Sequence, residues 1–505
     1  MSSLFSHTLC LLVTDGLAAR ACCPFFRQHS ARTLAFSAFS VRLLPELMLR
    51  RGLRPFARGF NSRAEHASWV RRVVHARMAK PLGWMQVTKE SAPFIASTDH
   101  MVDHLVLQCM PRSELEGGAL TPSASALQAT WPVSTDELLA TSVIDRNGYS
   151  PFRLGKFYEA VDALTADVAY RHTDGHARGL ALVTASHYHA IKLGRTVAGR
   201  DFTIRCYVTS TGSSSLEVRT DALQVDESGQ ERLINVCHTA MVALDKSTMR
   251  PVKGAVPPLE LPARQEAAGL DARDDPNPNQ IERLELAKLH KVMMARRRAN
   301  EMLLRSPVSQ PPTSEEMAAV HELHRGAVAS FEAPAPRVDR PDEISYHTHT
   351  SSTVVFAESK NVHGKAFGGF VAGGAYDLAY YAARYFTRGA PFVPVGLDDA
   401  VFLQSVSIGD MVRWEARVVH SGEDGIFRVH VSMDVIDPFD PGRLPERTNR
   451  LMFVFATSPS HRRPLLPTSY KEVLMHVSAA RRHATEGLGP KARVELEAFF
   501  REATA

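Results

Sequence analysis

An asparagine placed eight residues ahead of a glycine that opens a long proline-free stretch occurs twice in this chain, as Asn147 with Gly155 and as Asn361 with Gly369. A duplicated turn and helix constrains the fold more tightly than composition does, since whatever completes one copy must also complete the other. In the second copy Asn361-Val-His-Gly-Lys-Ala-Phe-Gly-Gly-Phe runs into a segment of small and aromatic residues that ends near Tyr385. The free N–H groups at such a helix start are a place for an anion or a carbonyl oxygen. Gly373 and Gly374 lie inside the helix at a cost of roughly 1 kcal/mol each against alanine. That cost makes sense if a sheet approaches the helix closely, so a sheet wrapped around it is expected. Seven residues past the aligned glycines stand Asp162 in the first copy and Tyr376 in the second, with Asp377 one position further on. Only one copy carries a carboxylate in that slot.

The residues beyond each helix start fit the same unit. Leu154, Phe157, Val161, Leu164 and Val168 recur at steps of three and four and predict a helix with one buried stripe, with Asp162 at its edge. Strand-like alternation continues over 180–189, 201–209, 216–225 and 233–244. The turn Asp226-Glu-Ser-Gly-Gln separates two of these strands in hairpin fashion. In the second copy strands are expected over 347–356, 400–404, 412–419, 427–436 and 451–456. One helix trailed by several strands is an α+β unit. Between the copies, 254–280 reads as a linker, 280–305 as a charged helix and 314–325 as a shorter one.

Composition matters chiefly at the N-terminus. The chain has 505 residues, 44% of them apolar, which suffices for two or three domains. Residues 1–80 hold thirteen Lys and Arg against three Asp and Glu, so the net +5 of the chain leaves the remainder at −5. Such a body gives no electrostatic case for nucleic acid or an anionic membrane. The basic, acid-poor segment fits an organellar transit peptide. Its best part begins at Met48, which we read as the start, with Arg58 two residues ahead of a cut after Phe60. A disordered basic tail is the competing reading. No apolar run reaches the ~18 residues of a membrane span. Beyond the leader, Cys109, Cys206 and Cys237 are widely spaced and imply neither a metal site nor a disulfide framework. Cys206 and Cys237 fall in strand patterns, where a small buried hydrophobe is the usual role.

Gly155-Lys-Phe-Tyr-Glu-Ala-Val-Asp-Ala-Leu in the first copy, and Asn361 to Phe370, Asp377-Leu-Ala and Pro394-Val-Gly-Leu-Asp-Asp in the second, resemble the double hotdog acyl-CoA thioesterases. The resemblance is closer to the mitochondrial acyl-CoA thioesterase 9 group and covers roughly residues 147–483. The chain departs from that pattern in lacking a His-Gly-Gly in the first copy and in reducing the acidic stretch of that helix to Glu159 and Asp162.

The resemblance implies an α+β tandem (double) hotdog, each unit a long central helix wrapped by an antiparallel sheet. It also implies hydrolysis of fatty acyl-CoA to free fatty acid and CoA by an activated water at a composite site between the units. Asp162 would polarise the water, Asn361 would hold it or the thioester carbonyl, and N–H groups near Gly368 and Gly369 would receive the oxyanion. His363 is placed to orient Asn361, and a degenerate second pocket would hold Asn147 and Asp377. No covalent nucleophile, cofactor or metal is implied. Acyl-CoA is the expected partner, with no nucleic acid, no transmembrane segment, assembly as a homo-oligomer and a mitochondrial, matrix location.

The domain plan expected from this is a transit peptide and basic leader over 1–80, an N-terminal arm over 81–142, hotdog units over 143–253 and 343–470, a linker over 254–342 and a helical tail over 471–505. Competing readings remain for single residues: a surface carboxylate for Asp162, a turn or cap residue for Asn361, and a backbone-satisfied turn histidine for His363. His187, His189 and His238 lie in strand patterns and read as core or rim. Ser213-Ser-Ser reads as a turn or a contact to phosphopantetheine. At the level of the molecule, a catalytically silent acyl-CoA-binding scaffold is the alternative, with a hotdog hydratase third.

Overall fold

The computed structural model describes residues 85–86, 92–96, 106–109, 118–143, 153–192, 196–197, 199–226, 229–260, 310–332, 342–361, 363–440, 445–485 and 500, within the compact unit Ala67–Ala505. The leader, Asn147 and the helix expected over 280–305 lie outside these residues.

The order of elements repeats. After β1 (Met85–Gln86) and β2 (Val106–Cys109), the first repeat contains β3 (Leu127–Trp131), the short α1 (Glu137–Val143) and the long α2 (Leu154–Thr173). Four strands complete it: β4 (Leu180–Lys192), β5 (Phe202–Thr211), β6 (Ser215–Val225) and β7 (Glu231–Asp245). Then come α3 (Ser314–Glu332) and β8 (Asp342–Glu343). The second repeat has β9 (Thr348–Val354), α4 (Gly368–Phe386), β10 (Phe392–Phe402), β11 (Met411–Ser421), β12 (Ile426–Ile436) and β13 (Glu446–Thr457). β14 (Leu465–Leu466) and α5 (Tyr470–Thr485) end the described order.

Twelve strands form one sheet in the order β1-β2-β3-β5-β6-β7-β4-β10-β13-β12-β11-β9. Read inward from either side, β3-β5-β6-β7-β4 matches β9-β11-β12-β13-β10, so each repeat is strand, helix and four strands with the same pairing order. The repeats meet edge to edge where β4 pairs antiparallel with β10, Ala400 opposite His187 and Asp399 opposite Tyr188. This is the tandem hotdog architecture, a long helix on each half of one antiparallel sheet.

Helix α2 is buried almost all round, because the sheet takes its apolar stripe and α4 crosses its other side. It ends where Asp174 adopts φ 52° and the Gly175 N–H returns to the Tyr170 carbonyl, a left-handed stop that an aspartate tolerates. The two interior glycines of α4 serve different partners. A Cβ on Gly374 would lie 3.2 Å from the Trp414 ring of β11, which is the close sheet contact expected. Gly373 faces the other helix, where an added Cβ would lie 3.5 Å from the Gly155 carbonyl oxygen. Gly155 abuts Gly373 and Asp377 while Asp162 abuts Gly368, so α2 and α4 run antiparallel through this contact. One hydrophobic cluster joins both repeats, from Val161 and Leu164 to Ala375, Ala379 and Phe427.

Three stretches differ from the sequence reading. The strand expected over 400–404 is β10, which begins at Phe392. Pro394 and Gly396 lie inside it and flank a register shift against β13, where a bulge removes the need for a ladder donor. The arm before residue 142 contributes β1, β2 and β3. All five residues of β3 are buried, so no polar alternation marks it. The C-terminal tail, which its charged helical pattern over 466–505 would place on the surface, packs into the fold instead: Val473, Val477 and Ala479 of α5 are buried and the helix packs on β11, where the His476 ring donates to the Val419 carbonyl at 3.0 Å.

Candidate functional site

Asp162 sits on α2 where the first turn of α4 meets it. It is only 5% exposed, which rules out the surface-carboxylate reading. Its Oδ2 accepts the Gly369 N–H at 2.9 Å and its Oδ1 accepts the Thr184 hydroxyl at 2.9 Å. A Cβ on Gly368 would lie 2.7 Å from Oδ2, so glycine there lets the carboxylate reach the backbone. A carboxylate from one repeat thus occupies the positive end of the other repeat's helix, whose own cap residue, Phe367, supplies no side-chain bond. The N–H groups of Gly368 and Phe370 form no hydrogen bond among the described residues.

His187, which reads from sequence as a core or rim residue, stands at Asp162's other side. It is fully buried, with Nε2 3.5 Å from Asp162 Oδ1 and Nδ1 2.9 Å from the Thr239 hydroxyl. With Thr239 donating to Nδ1, the ring proton lies on Nε2, near the carboxylate but without a hydrogen bond to it, the one neutral tautomer that does not set lone pair against lone pair. Thr184 and His187 are three apart, and strict alternation would put them on opposite faces of the strand. On β4, Thr184 and Ser186 oppose Met241 and Ala240 of β7, so Ala185 is an extra residue and the bulge turns both side chains toward Asp162.

Asn361 closes its own loop. Its Oδ1 accepts the N–H groups of His363 at 2.9 Å and Lys365 at 3.1 Å, and its Nδ2 approaches the Ala366 carbonyl at 3.4 Å. This Asx-type turn delivers Phe367 to the start of α4. His363 meets Asn361 through its backbone. Its ring instead crosses to the first repeat, Nε2 lying 2.9 Å from the Tyr170 hydroxyl. Tyr170 also accepts the Leu182 N–H, donates to the Leu180 carbonyl, and stacks on His176 at 4.1 Å and Phe94 at 5.2 Å. Burial, then Lys246 and His176, hold His363 below the usual histidine range.

At the start of α2 the matching slot is different. Tyr376 is buried against Tyr158 and Phe453, and Asp377 is held by the Arg153 guanidinium, with Nε 3.3 Å from Oδ1. A helix turns 100° per residue, so the one-position displacement aims that carboxylate at the cap of α2 rather than at its N–H groups. Asp167, further along α2, accepts the N–H groups of Phe94 and Ile95 at 2.9 and 2.8 Å and fixes the arm to the helix.

Other candidates fall away on their surroundings. The Cys206 and Cys237 thiols are fully buried, and burial pushes Cys237 up to about 12 and Cys206 higher still, which leaves no thiolate to act as a nucleophile. Ser213 lies in the turn between β5 and β6, where its hydroxyl accepts the Gly254 N–H at 3.0 Å. His238 stacks on Tyr188 and faces Glu217 at 3.4 Å. Among the described residues no group of three or more His, Cys, Asp or Glu is placed to hold a metal ion, and no helix is long and apolar enough to cross a membrane.

No family model matches the chain, but individual proteins do. Acyl-coenzyme A thioesterase 2, chloroplastic, from Humulus lupulus is 25% identical over 362 residues, covering 69% of this chain and 76% of that protein. Acyl-coenzyme A thioesterase 10, mitochondrial, from Mus musculus is 23% identical over 455 residues, covering 86% and 93%. Among solved structures, an acyl-ACP thioesterase from Bacteroides thetaiotaomicron covers 66% of this chain and 100% of its own at 10% identity, with a TM-score of 0.37. The curated relatives that span most of this chain, at 22–23% identity, carry the names acyl-coenzyme A thioesterase 9 and 10, so the likeness carried by Asn361 to Phe370 extends along most of its length.

Proposed function

We propose that the chain is an acyl-CoA thioesterase, hydrolysing fatty acyl-CoA to free fatty acid and CoA at a site built from both repeats. The observation that carries this reading is the Asp162 carboxylate of one repeat held 2.9 Å from the Gly369 N–H of the other repeat's helix. Asp162 takes a proton from water as the water oxygen attacks the thioester carbonyl carbon. The open N–H groups at the start of α4, beginning with Gly368, receive the oxyanion. When the C–S bond breaks, the proton on Asp162 passes to the departing CoA sulfur, leaving acid and thiol. Thr184 and His187 fix the carboxylate, and Asn361 holds the turn that presents the donors, its remaining amide hydrogen facing water or substrate.

Replacing Asp162 with Asn keeps the shape and removes the base. The expected result is about a 10²-fold or greater fall in thiol release from a panel of acyl-CoA substrates, with the melting temperature little changed. Full activity in this variant would overturn the assignment. The competing reading, a silent acyl-CoA-binding scaffold, draws on the Gly369 N–H being already satisfied by Asp162. Saturable acyl-CoA binding without turnover by the purified wild-type chain would select it. Relatives named mitochondrial and chloroplastic support an organellar setting; with the arginine-rich leader we assign the mitochondrial matrix, and we expect a homo-oligomer.

A further inference from the structure

A second cleft lies on the opposite face of the sheet from Asp162, between β10–β13 and the inner face of α5, with a volume of about 470 Å³. Arg447 and Arg450 of β13 line it on one side and Lys471 and Arg482 of α5 on the other, with His430 of β12 between them. The carboxylates facing the cleft already have partners. Asp399 accepts from Arg482 at 3.1 Å, and Glu415 lies 3.0 Å from Arg417. Arg447 is occupied by Asp434 at 2.5 Å. Arg450 and Lys471 form no ion pair among the described residues, and both side chains are exposed at the mouth. Lys471 acts on Glu415 at longer range, so the mouth holds two exposed cations with no contact ion pair.

The arginines lining the cleft register on His430. Burial, then Arg447, Arg450 and Arg482, push its imidazole down to about 3. The ring is therefore neutral, and the hydroxyls of Ser432 and Ser478 stand beside it as further uncharged groups. A site with two cations outside any contact ion pair, arginine forks and hydroxyls has the chemistry of phosphate recognition. Its volume is that of a small-molecule site.

We infer that this cleft binds a phosphate monoester, the dianion that matches these two cations. Asp399 and Tyr188 are opposed across the β4–β10 seam, next to His187 and Ala400. The cleft thus lies behind the strands that hold Asp162 and is separate from the reacting groups.

The test is calorimetric titration of the full chain at low salt with inorganic phosphate and, separately, with 5′-AMP. Saturable binding of phosphate is expected, weakened at least about ten-fold in the double variant Arg450→Gln, Lys471→Gln and weakened also by added salt. Acyl-CoA turnover and melting temperature should be unchanged in that variant, since both positions are exposed and outside the Asp162 site. Binding of both probes supports the inference, and binding of inorganic phosphate without 5′-AMP overturns the monoester assignment. No saturable binding of either probe, or equal binding by the double variant, overturns the inference.

Discussion

Asp162 and Asp377 differ by one step in the aligned helices and by everything in their surroundings. The first is buried against backbone donors, whereas the second is an exposed partner of Arg153. An exposed ion pair is worth at most about 1 kcal/mol, so Asp377→Asn should leave folding and most hydrolysis intact. Loss of turnover in this variant, with activity kept in Asp162→Asn, would place the catalytic pocket in the other half. A second carboxylate on the same helix yields a pH prediction. Burial raises Asp167 to about 7, against the pull of the Ile95 and Phe94 N–H groups. A raised acid binds its proton more tightly in the folded chain, so its stabilisation is complete below the ordinary value near 4 and is lost as pH rises through about 7. Wild type should therefore lose stability between about pH 5 and 8 on the order of a few kcal/mol more than Asp167→Asn does. Equal slopes for the two proteins, measured by denaturant unfolding, would show that Asp167 is already ionised. Asp162 and its offset from the glycine are legible because both are local sequence facts. The approach of His187 is not, since Ala185 interrupts the strand's period of two and nothing in the residue types announces a bulge.

The antiparallel contact of α2 and α4 depends on glycine at a few positions, and the helices themselves say which. A Cβ on Gly369 would stand 2.8 Å from the Glu159 Cα and closer still to the Phe367 ring, backbone on one side and a ring on the other. Gly369→Ala should cost about 1–3 kcal/mol as an overpacked contact and lower turnover further, because the shift moves the Gly369 N–H away from Asp162. Gly326 is the control. It lies in α3, exposed, with nothing within 4 Å of an added Cβ, so Gly326→Ala should stabilise by roughly 0.5–1 kcal/mol. Thermal melts of the two variants should move in opposite directions; a neutral Gly369→Ala would mean that the helices can separate at no cost. The interior glycines of α4 signal a close approach in the sequence, but not whether a sheet or a helix makes it, because a glycine records only that space is lacking. The strands of both repeats are largely visible as alternation, while β3, buried on both faces, and β10, with Pro394 and Gly396 inside it, offer no such pattern.

The duplication is legible as a sequence repeat, yet its consequence appears only in the assembled sheet. The repeats share one apolar cluster, and their central helices touch along the face that carries the candidate site. The halves are not equivalent at their outer edges. β3 is extended by β2 and β1, whereas β9 pairs, among the described residues, with β11 alone. If the repeats were separate folding units, the half with the extended edge would outlast the other under denaturant. A shared core predicts the opposite: removing either half exposes the buried face of the partner helix, and at roughly 25 cal/mol per Å² of apolar surface an exposed helix face costs more than a single edge strand contributes. Hydrogen exchange at increasing denaturant should therefore show the amides of β5–β6 and those of β12–β13 opening together, with equal free energies and equal denaturant dependence. Protection lost in one pair of strands while the other remains closed would mean that the seam between β4 and β10 joins two independent domains, and Asp162 would then reach its partner helix only when both happen to be folded.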